Sequence, residues 1–223
     1  MYPEKIRIDR VIRSGRKTIA LMVNDQAELV IRAPLWVSDE LIEGLVIEKS
    51  DWIRNKQESV LRSIPAPRQF LPGEKFPFLG KEYPLDIGVN QKGSVHLTDR
   101  FIVDPGVSDI REGLINWYRK AAKKIIPVRC GHWSALTGLK PGSVHITSAQ
   151  TRWGSCSSRS SLNFTWRLVM APLEIVDYVV VHELVHLEIR NHSGSYWERV
   201  RSILPDYADK RRWLKDHGRE LVL

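Results

Sequence analysis

The sequence contains few cysteines and no long hydrophobic run. Only two cysteines, Cys130 and Cys156, occur among 223 residues, and they do not form a C-x-x-C pair. This scarcity argues against a disulfide framework and against a zinc site built from thiolates, so both are interpreted as small core residues. No apolar stretch is long enough to cross a bilayer, and the first ten residues alternate in charge, unlike a signal peptide. We therefore expect a cytoplasmic protein without membrane contact.

Positive charge is unevenly distributed along the chain. Residues 1–107 carry 16 of the 34 basic and 15 of the 26 acidic side chains, whereas residues 108–223 carry 18 and 11, a net charge of +7. A basic excess can attract a polyanion or a phosphate-bearing substrate, but ordinary solvated helix faces have the same composition. Nucleic acid therefore stays open as a partner, and the sequence does not determine the oligomeric state.

The most informative motif is H-E-L-V-H at residues 182–186, a match to H-E-x-x-H. At 3.6 residues per turn, His182 and His186 lie on one helix face and can bind the same metal ion. Glu183 lies beside that face, where its carboxylate can act on an attacking water without being a ligand. We predict one helix over residues 172–190, because a proline suits its first position and neither glycine nor proline interrupts it.

A third histidine, His192, is the leading candidate for a third ligand. On a continuous helix, six residues correspond to about 600° of rotation, which would turn His192 roughly 120° away from the metal face. The helix must therefore end before it, and Asn191 is the predicted hinge because asparagine tolerates the left-handed conformation. Glu198 and His217 are the alternative third ligands, since some zinc hydrolases take this ligand from a later helix.

Several segments carry a family resemblance. They are R-A-P-L-W-V-S-D-E-L-I at residues 32–42, R-W-G-S-C-S at 152–157, W-R-L-V-M-A-P at 166–172, D-Y-V-V-V-H-E-L-V-H-L at 177–187 and N-H-S-x-x-Y-W at 191–197. Together they resemble the YgjP-like family of predicted metal-dependent hydrolases, which is related to the SprT-like and WLM minimal zinc peptidases. The resemblance implies His182, His186 and His192 as ligands of one Zn²⁺ per chain, and Glu183 as the catalytic base.

The order of predicted elements indicates an α+β fold in two regions. Residues 1–107 are predicted to form an N-terminal β-rich region with one helix, from about Ser38 to Leu61. Residues 108–223 are predicted to form a minimal zincin-like metallohydrolase domain, in which the H-E-x-x-H helix packs on a small sheet. Further predictions are a strand over Lys5–Val11, a hairpin turn at Asn24-Asp25, a helix over Ser108–Ile126, and strands over Val144–Gln150 and Leu162–Val169.

The segment from Arg152 to Arg167 is predicted to form a second wall of the cleft. In zinc peptidases, a strand edge beside the metal pairs with an extended substrate. The candidates for substrate binding or for stabilising an oxyanion are Arg152, Trp153, Arg167 and Tyr196. A tryptophan is more often a core residue, which is the alternative interpretation of Trp153 and of Trp166.

These observations predict a zinc-dependent hydrolase, and a metallopeptidase is the favoured interpretation. One alternative is a metal-dependent nucleoside triphosphate pyrophosphohydrolase, indicated by the basic C-terminal half and by several arginines near the motif. The other is a nucleic-acid-associated SprT-like protease. A purely structural zinc site is disfavoured, because three histidines leave a fourth position open whereas structural sites usually close with cysteine. The expected substrate is thus a peptide or a nucleotide.

Overall fold

In the computed structural model, which describes residues 6–24, 26–62, 66–88 and 94–223, the chain forms two compact units. They comprise residues 1–66 and 67–223, and each has its own hydrophobic core. This division differs from the predicted boundary at residue 107. The reason is that Phe76 and Phe101, which precede residue 107, lie in the same core as Tyr118 and Trp166.

The first unit is a three-stranded sheet followed by two helices. The elements are β1 (Arg10–Ser14), β2 (Ala20–Val23), β3 (Leu29–Pro34), α1 (Asp39–Glu48) and α2 (Ser50–Arg62). Strand β3 is central, parallel to β1 and antiparallel to β2. Its alternate residues Leu29, Ile31 and Ala33 are buried together with Ile42 and Val46 of α1, as the period-two pattern of a half-buried strand requires.

The single helix predicted from Ser38 to Leu61 is instead two helices. The Ser38 side chain does cap α1, accepting the N–H of Leu41 at 3.3 Å. The backbone of Lys49 then leaves the α-helical region, with φ −96° and ψ 14°, and α2 begins at Ser50. The strand predicted over Lys5–Val11 and the hairpin turn predicted at Asn24-Asp25 each include a residue, Lys5 or Asp25, that lies outside the described residues.

The second unit begins with a four-stranded sheet and a long helix. The strands are β4 (Lys75–Phe78), β5 (Lys81–Ile87), β6 (Val95–Leu97) and β7 (Phe101–Val103), in the order β4-β5-β7-β6. Helix α3 (Ile110–Thr137) continues past its predicted end at Ile126 and through Pro127. It does so because Ile126 and Cys130, four residues apart on one face, are both buried in the core.

A second small sheet and the remaining helices complete this unit. The elements are β8 (Ser143–Thr147), β9 (Gly154–Cys156), β10 (Ser161–Thr165), a 3₁₀ turn (Trp166–Met170), α4 (Leu173–Val185), α5 (Gly194–Ile203), α6 (Tyr207–His217) and a 3₁₀ turn (Gly218–Glu220). Strand β10 is central, parallel to β8 and antiparallel to β9. The strand predicted over Leu162–Val169 thus ends at Thr165. The mixture of helices with small sheets is an α+β fold, as predicted.

Helix α4 carries the H-E-x-x-H motif and is the most buried helix of the unit. Its apolar side chains pack on almost all sides, including Val180, Val181 and Leu184, each 0% exposed. Asp177 on its first turns accepts two hydrogen bonds from Arg129 of α3, at 2.6 and 2.7 Å. This fork-to-carboxylate contact holds α4 in one register against α3. Within the described part of the chain, no helix combines the length and the apolar character needed to cross a membrane.

Candidate metal centre

The helix that carries the motif is shorter than predicted. Its α-helical part covers Leu173–Val185, and His186 is the C-cap residue. Turn hydrogen bonds follow, in which Glu188 and Ile189 both donate to the carbonyl of Val185 at 3.0 Å. The predicted left-handed hinge at Asn191 is wrong, because Asn191 is absent from the described residues with positive φ. Its side-chain oxygen instead accepts the N–H of Ser193 at 3.3 Å.

The three predicted histidines converge after this turn. The ligand nitrogens of His182, His186 and His192 all lie within 4.8 Å of one another, and the Nε2 atoms of His182 and His192 are 3.1 Å apart. Throughout the described residues, no other three histidine, cysteine or acidic side chains are grouped in this way. The alternative ligands Glu198 and His217 are not part of the group. His217 stacks on Trp213, with ring centroids 4.7 Å apart.

The protonation state of the cluster suits metal binding. Burial, reinforced by the neighbouring His186 and His192, lowers the pKa of His182 to about 3. Partial desolvation, reinforced by His186 and Arg211, also lowers the pKa of His192, which favours its neutral form. The Nδ1 atom of His186 lies 3.0 Å from the carbonyl oxygen of Ile189. Because that oxygen can only accept, Nδ1 donates this hydrogen bond, and Nε2 is the ring nitrogen left available to a metal ion.

Tyr196 contacts both the main chain of His182 and the ring of His186. It is fully buried, and its hydroxyl donates to the carbonyl of His182 at 2.9 Å. Its ring stacks on His186 with centroids 4.6 Å apart and an interplanar angle of 28°. The hydroxyl proposed as an oxyanion donor is therefore already engaged with the main chain of the motif helix.

Glu183 lies in a tight, buried position under strand β9. The side chain is 4% exposed, and burial raises its pKa to about 8, against the opposing charge of Arg152. A Cβ atom built on Gly154 would be only 2.6 Å from both Cγ and Oε1 of Glu183. Only glycine leaves room for this carboxylate. The sequence reasoning did not single out Gly154, although a glycine in the R-W-G-S-C-S segment is a signal of close backbone approach.

With Glu183 as the general base predicted from the sequence, a Gly154→Ala substitution should displace its carboxylate and lower kcat about 100-fold, since a shift of about 1 Å in a catalytic group has this effect. Bound metal should be retained, because the three atoms nearest to the added Cβ all belong to Glu183, which is not in the histidine group. Gly131→Ala in α3 is the matched control, since nothing lies within 4 Å of its Cβ position. Turnover and metal content of both variants would be measured, and unchanged turnover in Gly154→Ala would contradict the packing argument.

The three histidines and Glu183 line a cleft with a volume of about 330 Å³. Its other lining residues are Arg152, Gly154, Ser155, Cys156 and Arg190. Arg190 donates to the carbonyl of Ser157 at 2.7 Å and contacts the Cys156 sulfur at 3.2 Å. Cys130 is buried as predicted, whereas Cys156 is half-buried, packs against the core and also lines the cleft.

The remaining predicted substrate residues lie at different places. Arg152 lines the cleft, whereas Trp153 does not and instead lines an adjoining cavity. Arg167 also lies outside the cleft lining. It donates to the carbonyls of Ser148 and Ala149 at 3.3 Å, and its guanidinium lies 4.6 Å from the Trp166 ring. Trp166 is 1% exposed, as the core interpretation predicted.

A buried H-E-x-x-H helix with a third histidine folded back beside it is typical of metal-dependent hydrolases of the metallopeptidase type. Residues 17–217 match the family described as YgjP-like, metallopeptidase domain, and the chain belongs to this family. The resemblance seen in the sequence is thereby confirmed.

Among solved structures, the crystal structure of the metallopeptidase zymogen of Pyrococcus abyssi abylysin is similar to this chain. The TM-score is 0.37 at 20% sequence identity, over 41% of this chain and 93% of that one. No curated protein matches the chain significantly.

Proposed function

We propose that this protein is a zinc-dependent peptidase in which His182, His186 and His192 hold one Zn²⁺ and Glu183 is the general base. The observation that carries the proposal is the convergence of three imidazoles beside a buried carboxylate in a single cleft. Membership in a metallopeptidase family supports the reaction class.

The donor set of the cluster fits zinc. Catalytic zinc sites commonly have three protein ligands and one open position, and neutral imidazole is a favoured ligand. The hydrogen bond from Nδ1 of His186 to the carbonyl of Ile189 is the kind of contact that orients a ligand ring. A divalent ion bound here would supply Lewis acidity and lower the pKa of a water molecule toward neutrality.

Glu183 is placed to move the proton. Its carboxylate removes a proton from the attacking water, whose oxygen bonds to the peptide carbonyl carbon, and then returns it to the nitrogen as the C–N bond breaks. The products are a carboxylic acid and an amine. Burial raises the pKa of Glu183 to about 8 in the metal-free protein, and a neighbouring cation would favour the ionised form that this step needs.

Strand β9 is suited to holding an extended peptide. It lies at one edge of its sheet, since the strand order is β8-β10-β9, and its residues Gly154, Ser155 and Cys156 all line the cleft. A peptide added along this edge would gain main-chain hydrogen bonds without a strong demand on sequence. Its scissile bond would then lie above Glu183, which approaches Gly154 closely.

A second candidate function is hydrolysis of phosphoanhydride bonds in nucleoside triphosphates. The observation that favours it is the presence of two arginines, Arg152 and Arg190, in the wall of the cleft, because guanidinium groups bind phosphate in a bidentate manner. Action on nucleic-acid-bound proteins is a further alternative, and it would draw on the basic excess of residues 108–223.

The test is to strip the full chain of metal, restore it with Zn²⁺, and assay both forms against a mixed peptide library and a nucleoside triphosphate panel. We expect peptide cleavage only in the zinc form and no release of phosphate or pyrophosphate. Triphosphate hydrolysis with intact peptides would replace the proposal by the second candidate. A zinc-loaded protein that cleaves neither substrate would refute both.

A further inference from the structure

A second cavity lies beside the metal cleft, over the sheet of β8, β9 and β10. Its volume is about 250 Å³. Three residues, Arg152, Gly154 and Ser155, line both spaces, so the two are contiguous along β9. Typical ligand pockets measure about 300–1,000 Å³. The second cavity is therefore of a size to take part of a substrate, such as one side chain, rather than a whole small molecule.

Apart from Ala149, Trp153 and Gly154, the lining of this cavity is polar, and it carries positive charge. The polar residues Thr147, Asn163 and Thr165 line it in addition to Arg152 and Ser155, and no acidic side chain occurs among the described lining residues. Thr165 is 1% exposed, and its hydroxyl has no hydrogen-bond partner in the described structure. The Asn163 amide reaches the Ser155 hydroxyl only at 3.5 Å. Because the Thr165 hydroxyl is itself buried, the polar side chains left around the single exposed cation, Arg152, are those of the half-buried Thr147, Ser155 and Asn163.

We propose that this second cavity, with Arg152 at its junction with the metal cleft, is a specificity pocket for a carboxylate of the peptide substrate close to the scissile bond. The inference rests on the proposed peptidase function. An arginine guanidinium matches a carboxylate with two parallel hydrogen bonds, and such charge-assisted bonds are stronger than neutral ones. Arg152 is two residues before Gly154, roughly 7 Å along an extended chain. The selected carboxylate therefore belongs within one or two residues of the cleaved bond.

Two kinds of carboxylate have the required chemistry, the side chain of Asp or Glu and the free end of a peptide. They are distinguished with matched peptides that differ only in the charged group. One set places Glu or Gln at each position within three residues of the cleaved bond, with amidated C-termini. The other set carries Gln throughout and a free or amidated C-terminus at the same distances.

Arg152 also has an electrostatic influence on Glu183, which would affect every substrate alike. The ratio of kcat/KM for a Glu peptide to that for its Gln counterpart removes this common effect. We expect a ratio of about 10 to 100 at one position in the wild type, because hydrogen bonds to charged groups contribute about 1.5–3 kcal/mol. In Arg152→Gln the ratio should fall to about one, and Arg152→Lys should retain only part of it.

Arg159→Gln is the matched control. Arg159 is exposed and lines neither the cleft nor the second cavity, so the wild-type ratio should persist. The dissociation constants of the same peptides from Glu183→Gln report the pocket without turnover, and they should show the same preference. If the preferred carboxylate is the peptide terminus, the free and amidated C-terminal pair will differ instead of the internal Glu and Gln pair.

The outcomes separate the pocket from the peptidase function. Peptide cleavage and binding with no preference for a carboxylate would overturn the pocket and leave the peptidase proposal standing. A preference that survives in Arg152→Gln would overturn the assignment to Arg152. Carboxylate-selective binding without cleavage by the zinc-loaded wild type would support the pocket and refute the peptidase proposal.

Discussion

Replacing Glu183 by glutamine should lower kcat for peptide hydrolysis by about 100- to 10,000-fold, the usual contribution of a general acid–base group. Zinc content should stay near that of the wild type, because Glu183 is not in the group of potential ligands. The fold should also tolerate the change. Burial raises the pKa of Glu183 to about 8, so the metal-free protein already holds a neutral side chain of nearly the same shape at pH 7.

Glu188→Gln is the matched control for this substitution. Glu188 follows the motif on an exposed turn and pairs with Arg199 at 2.9 Å, so its replacement should leave turnover within about twofold, as expected for a surface position. Zinc per chain and turnover of the two variants would be compared side by side. Loss of zinc from Glu183→Gln, or wild-type turnover in it, would contradict the role of general base.

Replacing His192 by alanine should remove both bound zinc and activity. Only His182 and His186 would remain, and two imidazoles cannot complete the three-ligand site that a catalytic zinc needs. Loss of an orienting partner of a ligand already weakens metal affinity about 10- to 100-fold, so loss of the ligand itself should exceed this. His192 is exposed and lies outside the helices, so the fold should persist. Zinc per chain after dialysis against a chelator, with circular dichroism, would measure both effects.

Glu198→Gln is the informative comparison, because Glu198 was an alternative third ligand in the same segment. It lies on α5, is exposed and does not belong to the histidine group, and the variant should keep its zinc. A protein that keeps zinc in His192→Ala but loses it in Glu198→Gln would reverse the assignment of the third ligand.

The parts of the site that follow from local geometry could be predicted from the sequence. The spacing of His182 and His186 places them on one helix face, and the rotation per residue shows that the chain must leave the helix before His192. The family resemblance was visible for the same reason, since it rests on short contiguous segments, and the match over residues 17–217 confirms it. The residue at which α4 ends could not be predicted from the sequence, because it depends on turn hydrogen bonds to the carbonyls of Leu184 and Val185.

Only the tertiary structure shows the contacts between residues that are far apart in the chain. Arg152 and Arg167 were equal candidates in the sequence, yet only Arg152 lines the cleft, because Arg167 is held by carbonyls of the segment after β8. The approach of Gly154 to Glu183 joins a strand to a helix across nearly thirty residues and has no periodic signature. Periodicity reports which face of one element a residue occupies, whereas the packing of elements decides what that face meets. The metallopeptidase class and the grouping of the three histidines could therefore be predicted from the sequence, and the walls of the cleft could not.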